Sequence, residues 1–139
     1  MPGDKIPVVK RFCDGYQSGH DVRVAEELLA SDFVDRSPFG PLPADRNGVL
    51  ALFGMLFDAF PDLRTEIHEQ VEADDKVWTR KTFHGTHKGE FMGIAPTGRV
   101  VAWDVIDIVR LRDGKMVEHW NVVDALSLMQ QLGAIPSPG

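Results

Sequence analysis

The chain is predicted to be an α+β protein: a strongly curved, mostly antiparallel sheet forming a cone, with about three N-terminal helices packed in its concavity and a short C-terminal helix. Three observations lead there. Apolar residues recur at helical spacing up to Pro61, at every second position from Leu63 to Asp124, and the Gly- and Pro-rich stretches that exclude regular structure fall between the periodic runs.

The elements follow in order. Residues 6–16 place Val8, Val9, Phe12, Cys13 and Tyr16 on one stripe and read as an amphipathic helix. Residues 22–30 form a second helix, with Asp21 as N-cap and Ala25, Leu28 and Leu29 inward. Residues 33–35 make a short strand. Residues 37–47 carry Pro38, Gly40, Pro41 and Pro43 and form a loop, a candidate lid over one end of the domain. A third helix, 48–60, is the most apolar and is stopped by Pro61. Strands are expected at 63–73, 76–86, 100–111 and 115–124. The segment 87–99, broken by Gly89, Gly93, Pro96 and Gly98, should line the mouth of a cavity. A last helix spans 124–132 and ends at Gly133. The whole chain, 1–139, reads as one domain with frayed ends at 1–4 and 134–139.

Composition narrows the function classes. A formal charge of -6 without a Lys/Arg cluster argues against nucleic acid or an anionic membrane as partner. A polar start with no long apolar stretch behind it reads as cytoplasmic. Cys13 is the single cysteine, so no internal disulfide is expected, and its helical position beside Phe12 marks a buried structural thiol. His84 and His87 lie three apart, which strand alternation sends to opposite faces, so no metal site is expected.

The last two strands concentrate the chemistry. If Arg112-Asp113-Gly114 forms a three-residue loop, Asp107 stands directly opposite His119, with Asn121 as the diagonal neighbour. If Asp113-Gly114 alone turns, Asp107 faces Trp120. The first register is preferred, since a tight turn needs positive φ at both central residues. One face then carries Trp103, Val105, Asp107, Val109, Val117, His119, Asn121 and Val123. The other carries Asp104, Ile106, Ile108, Arg110, Met116, Glu118, Trp120 and Val122, apolar enough to predict a homodimer through this outer face.

Residues 33–133 resemble the SnoaL-like polyketide cyclases of the cone-shaped nuclear-transport-factor-two-like superfamily. The resembling segments are Phe60-Pro61-Asp62-Leu63, Gly85-Thr86-His87, Gly89-Glu90-Phe91 with Gly93, Pro96-Thr97-Gly98, Asp113-Gly114-Lys115 and Glu118-His119-Trp120. The resemblance implies helices packed into a curved sheet and a ring-closing aldol reaction on a polyketide, without metal or cofactor, using an aspartate as acid/base. That aspartate aligns with Asn121 and its associated histidine with Asp107, so this chain departs from the pattern where the chemistry is done. Either Asp107 has taken over proton transfer, Asp124 serves instead, or the reaction is not an aldol closure.

Aldol closure needs a base beside a carbonyl, a donor for the enolate oxygen and walls that fold the substrate. Asp107 is expected to be the base, its pKa raised by an apolar wall of Val105, Val109 and Phe53, with Asn121 and His119 polarising the oxygen. The alternative is that Asp107 and His119 form a buried polar pair that only fixes register. Tyr16, Phe53, Phe57, Trp78, Arg80, Met92 and Trp103 are the candidate binding residues, with Arg80 available to a carboxylate, ester or phenolate. The favoured function is a cofactor-independent acid/base enzyme acting on a hydrophobic, oxygenated small molecule. Its competitors are an isomerase, hydratase or cofactor-free hydroxylase on the same fold, and a non-catalytic binding module.

Overall fold

The computed structural model describes residues 4–136, so the ends expected to fray lie largely outside it. Five strands form one open sheet in the order β1-β5-β4-β3-β2: β1 (Leu29–Asp35), β2 (Arg64–Ala73), β3 (Lys76–Thr86), β4 (Val100–Arg112) and β5 (Lys115–Val123). β2 to β5 are an antiparallel meander, and β1 joins the edge parallel to β5. Among the described residues the α-helices are α1 (Lys5–Arg11), α2 (Val22–Leu28), α3 (Arg46–Ala59) and α4 (Ala125–Gln131).

Two elements differ from the sequence expectation. The first helix does not stay α-helical to Tyr16: Phe12–Ser18 forms a π-helical turn, which buries Phe12, Cys13, Tyr16 and Gln17 together. The second helix ends at Leu28, and Leu29 and Ala30 begin β1, because a short buried apolar run has no period that separates helix from strand. Helix starts are set by aspartates that accept backbone N–H groups left open in a first turn: Asp21 from Arg23, Asp45 from Gly48 and Asp124 from Ser127. Asp124 is thus occupied as a cap.

The core lies between the helices and one sheet face. Val9, Phe12, Phe53, Leu56 and Phe60 pack with Val77, Phe83, Trp103, Val105 and Val109 in one buried cluster. An aromatic chain runs through it, with ring centroids 5.3 Å apart for Tyr16–Phe53, 6.1 Å for Phe53–Phe83 and 5.5 Å for Phe83–Trp103. The opposite sheet face leaves Trp78, Ile106 and Val122 exposed.

The β4–β5 hairpin takes neither register expected of it. Asp113 and Gly114 alone turn, with φ of 53° and 76°, so Arg112 pairs with Lys115 and Leu111 with Met116. Asp113 tolerates the left-handed conformation that the three-residue loop was meant to avoid. The register then shifts between Leu111 and Arg110, with Val117 as the extra residue, and Asp107 comes to lie opposite Asn121 while His119 pairs with Val109. The bulge restores the alternation that the shorter turn would have inverted. The two-residue turn, ahead of the bulge, pairs Met116 with Leu111 and so places it, expected on the outer face, on the cavity wall.

The turn geometry yields a stability prediction. Gly114→Val forces a β-branched residue to positive φ and is expected to cost roughly 1–2 kcal/mol. Asp113→Asn, which preserves the turn preference, should be neutral within about 0.5 kcal/mol. Urea unfolding of the two variants against the parent checks both, and equal midpoints for all three would contradict it.

Candidate active site

A cavity of about 410 Å³ opens between the helices and the inner sheet face. Most of its wall is apolar, from Phe33 on β1, Leu52 and Phe53 on α3, Phe83 on β3 and Trp103 on β4. Residues 37–40 of the loop after β1 and Phe91 and Met92 of the 87–99 segment also line it. That segment is pinned by His87, which is fully buried: its Nδ1 accepts the backbone N–H of Thr97 at 3.1 Å. His84 lies apart from it, paired with Glu66.

Polar groups gather in one region of this wall, and they come from consecutive strands of the sheet. Asp35 closes β1, His119 lies on β5, Asp107 on β4 and Lys81 on β3. His119 uses both ring nitrogens, Nδ1 to Asp35 Oδ1 at 2.9 Å and Nε2 to Asp107 Oδ1 at 2.7 Å. The other carboxylate oxygen of Asp107, Oδ2, is ion-paired with the ammonium of Lys81. Lys81 also donates to Gln17 Oε1 at 3.0 Å. Asp35 additionally accepts the Ser37 backbone N–H at 2.9 Å, which ties the first residue of the cavity loop to the cluster.

The electrostatics reverse the expected behaviour of Asp107. Burial pushes its carboxyl upward, but the charges of Lys81 and His119, one at each oxygen, outweigh burial and hold it well below the usual carboxylate range. For His119 burial works downward, and the Asp107 charge with the hydrogen bonds to both aspartates overcomes it, raising the imidazole to about 9. Lys81 is likewise held above its ordinary value by Asp107 despite complete burial. Burial leaves the Cys13 thiol raised and pushes the Tyr16 phenol up to about 12, so neither is a thiolate or phenolate near neutral pH.

The sequence-predicted residues divide cleanly by place. Asp107, His119, Asn121, Phe53, Met92 and Trp103 line the cavity. Asn121 faces it beside Asp107, and its side-chain amide has no hydrogen-bond partner among the described residues. Tyr16 and Phe57 sit behind the wall in the aromatic core, 5.5 Å apart by ring centroids. Trp78 and Arg80 are on the outer face, where Trp78 is exposed and Arg80 donates to Glu69 at 2.8 Å. Strand parity explains this: Val77, Thr79, Lys81 and Phe83 point inward, so their alternates cannot.

Sequence reasoning missed Lys81, Asp35 and Gln17. For Lys81 a signal existed, since it alternates with Val77 and Phe83. Asp35 carried none, because it meets His119 across 84 residues of chain.

Comparison with known proteins agrees with this architecture. A curated relative, an aklanonic acid methyl ester cyclase of Streptomyces peucetius, is 30% identical over 139 residues, covering 93% of this chain and 90% of that protein. Among solved structures, IdmH of Streptomyces antibioticus, a candidate polyketide cyclase, is 33% identical with a TM-score of 0.81, covering 93% of this chain and 98% of its own. AclR of Streptomyces galilaeus, a candidate hydroxylase, is 29% identical with a TM-score of 0.90, covering 100% of this chain and 87% of its own. The family model described as SnoaL-like polyketide cyclase matches residues 7–132, and the chain belongs to that family.

Proposed function

We propose that the protein is a cofactor-independent acid/base cyclase that closes a ring by intramolecular aldol addition on a hydrophobic, oxygenated polyketide. The observation that carries this reading is a cavity whose apolar walls meet one polar region, where Asp107, His119 and the Asn121 amide, unpartnered among the described residues, converge. The curated relatives are named for aklanonic acid methyl ester, and a polyketide ester of that class is the proposed substrate.

In this mechanism Asp107 removes a proton next to a carbonyl, the enolate carbon attacks a second carbonyl, and the new alkoxide takes the proton back from Asp107. One C–H bond breaks, one C–C and one O–H bond form, and no atom is gained or lost. Asn121 donates to the developing enolate oxygen. His119 acts on that oxygen through its charge, because both its N–H groups are held by aspartates. A carboxylate with a depressed pKa is a weak base in isolation. Here the cations that weaken it also stabilise the enolate, since the negative charge leaving Asp107 reappears on a substrate held in the same cavity. Binding in the apolar cavity excludes water and folds the substrate for attack.

A second reading, oxygenation, is favoured by the likeness to AclR. Product mass separates the two, unchanged for aldol addition and increased by one oxygen atom for hydroxylation. The exposed Trp78, Ile106 and Val122 further support a homodimer through the outer sheet face. Ile106→Glu should then shift the sedimentation of the protein from dimer to monomer, and a parent that sediments as a monomer would exclude this interface.

With aklanonic acid methyl ester as probe, Asp107→Asn is expected to lower kcat by about 10²–10⁴-fold. Asn121→Ala should lower it by roughly tenfold or more through loss of one donor. Activity near the parent level in folded Asp107→Asn, checked by circular dichroism, would sink the proposed role.

The pH dependence has a definite sign. The folded-state pKa of His119 is raised above its ordinary 6.5 to about 9, so its charge stabilises the fold fully below about pH 6.5 and the contribution is lost as pH rises through about 9. kcat should hold through neutrality and decline near pH 9, whereas the melting temperature should fall progressively from about pH 6.5 and level off above about 9. The alkaline decline in melting temperature should shrink in His119→Gln. An alkaline limb of kcat centred near pH 6.5 would contradict the raised value.

A further inference from the structure

Lys81 is a buried charge that the proposed chemistry leaves without a task. It is 2% exposed, and its neighbours across the β3–β4 ladder are Val105 directly and Asp107 diagonally, since Asp107 pairs with Thr79. An ammonium has three protons to place. The three acceptors supplied are Asp107 Oδ2, Gln17 Oε1 at 3.0 Å and Cys13 Sγ at 3.9 Å. Gln17 is itself oriented, its Oε1 also accepting the Thr65 hydroxyl at 3.1 Å. Cys13 and Gln17 both come from the π-helical turn, and both line the cavity with Lys81. The irregular turn thus builds the socket into which β3 inserts its lysine.

Such a pair is a poor device for stability. Desolvating two charges consumes most of what their attraction returns, and apolar replacements of like volume commonly serve a core as well or better. Its place is the wall of a cavity, against the carboxylate assigned to proton transfer. Every titratable group facing Asp107 is accounted for: Lys81 on β3, His119 on β5, Cys13 on the π-helical turn beyond Lys81, and Asp35 on β1 beyond His119.

We propose that Lys81, seated by Gln17 and Cys13, is a positioning residue of the cyclase: it pins Oδ2 of Asp107 from the β3 side of the cavity wall and supplies the fixed counter-charge against which Asp107 works. This rests on the reading that Asp107 is the base. With Oδ2 held by Lys81 and Oδ1 by His119, the carboxylate plane is fixed from two strands, and proton removal requires no reorientation. The depressed pKa of Asp107 is the electrostatic consequence of the same contacts. Lys81 does not serve as an amine nucleophile forming an imine with the substrate, because its three acceptors, the Asp107 carboxylate among them, keep it an ammonium.

The test uses Lys81→Met and Lys81→Arg in the full chain, with aklanonic acid methyl ester as probe. It reads kcat and KM against pH, together with the ¹³C signal of the Asp107 carboxyl followed by NMR. In the parent, the Asp107 signal should stay flat from about pH 4.5 to 8. In Lys81→Met, kcat should fall about 10- to 100-fold with KM within roughly threefold, and the acid limb should move up by about one pH unit or more. Lys81→Arg should recover part of kcat and return the acid limb toward the parent.

An acid limb unmoved in Lys81→Met, or a change confined to KM, overturns the proposal. So does an Asp107 carbon that titrates between about pH 5 and 8 in the parent, a measurement that decides the matter even if Lys81→Met does not fold. Trapping of substrate on the parent by borohydride, lost in Lys81→Met, would make the lysine a nucleophile and equally overturn it. The two levels fail separately. Full activity in Asp107→Asn removes the base assignment itself, whereas an inactive Asp107→Asn beside a parent-like Lys81→Met removes only the role of Lys81.

Discussion

A carboxylate buried in an apolar wall must meet positive charge at hydrogen-bond distance, and the architecture around Asp107 answers that constraint. Its two oxygens are claimed by Lys81 and His119, and His119 is claimed in turn by Asp35. The four side chains follow the hydrogen-bonding order of the sheet, one each from β1, β5, β4 and β3. Displacing any of these strands by one residue would turn its member of the chain to the outer face. The cluster and the sheet register therefore specify one another. The parallel edge strand β1, which the meander does not need for its own pairing, closes the chain by delivering Asp35 opposite His119.

The bulge at Val117 is the local device that makes this possible. A two-residue turn at Asp113-Gly114 carried down the ladder without interruption would set Asp107 against Trp120 and point Asn121 outward. One inserted residue shifts the pairing so that Asp107 meets Asn121 and His119 lies two pairs away, next on the same face. The three-residue loop expected from the sequence has the same parity as the turn with its bulge. The shared face of Asp107, His119 and Asn121 was therefore legible even though the turn was misread and the direct partner was Asn121. Face membership depends on parity alone, and the identity of a direct partner depends on every residue between it and the turn.

What escaped the sequence escaped for related reasons. The sign of the Asp107 shift was read as burial by Val105, Val109 and Phe53 opposed by a protonated His119, and the balance turned on Lys81, which arrives from β3. On β3, Trp78 and Arg80 drew notice as an aromatic and a bidentate cation, and their alternate Lys81 was overlooked, although Val77 and Phe83 already marked the inward set. The π-helical turn left no trace in an apolar spacing that fits an α-helix nearly as well. By contrast, the helix starts at Asp21 and Asp124 and the strands β2 to β5 were readable, because caps and period-two alternation are written within a few residues of chain.

The departure from the family pattern becomes intelligible at this resolution. The resemblance assigns an aspartate to position 121 and a histidine to position 107, and this chain carries asparagine and aspartate there. Those positions are direct cross-strand partners, so the carboxylate has crossed one pair of the ladder, about 5 Å, without leaving the cavity face. A carboxylate at 107 lies nearer β3 than one at 121 would, and β3 is the strand that supplies Lys81. The move also takes position 107 out of service as a cation. Lys81 and His119 together then balance Asp107 and Asp35, two cations for two carboxyl groups. An exchange of 107 and 121 without a buried lysine would leave more negative than positive groups in an apolar wall. Lys81 and Asp107 therefore act as one coupled pair within this chain.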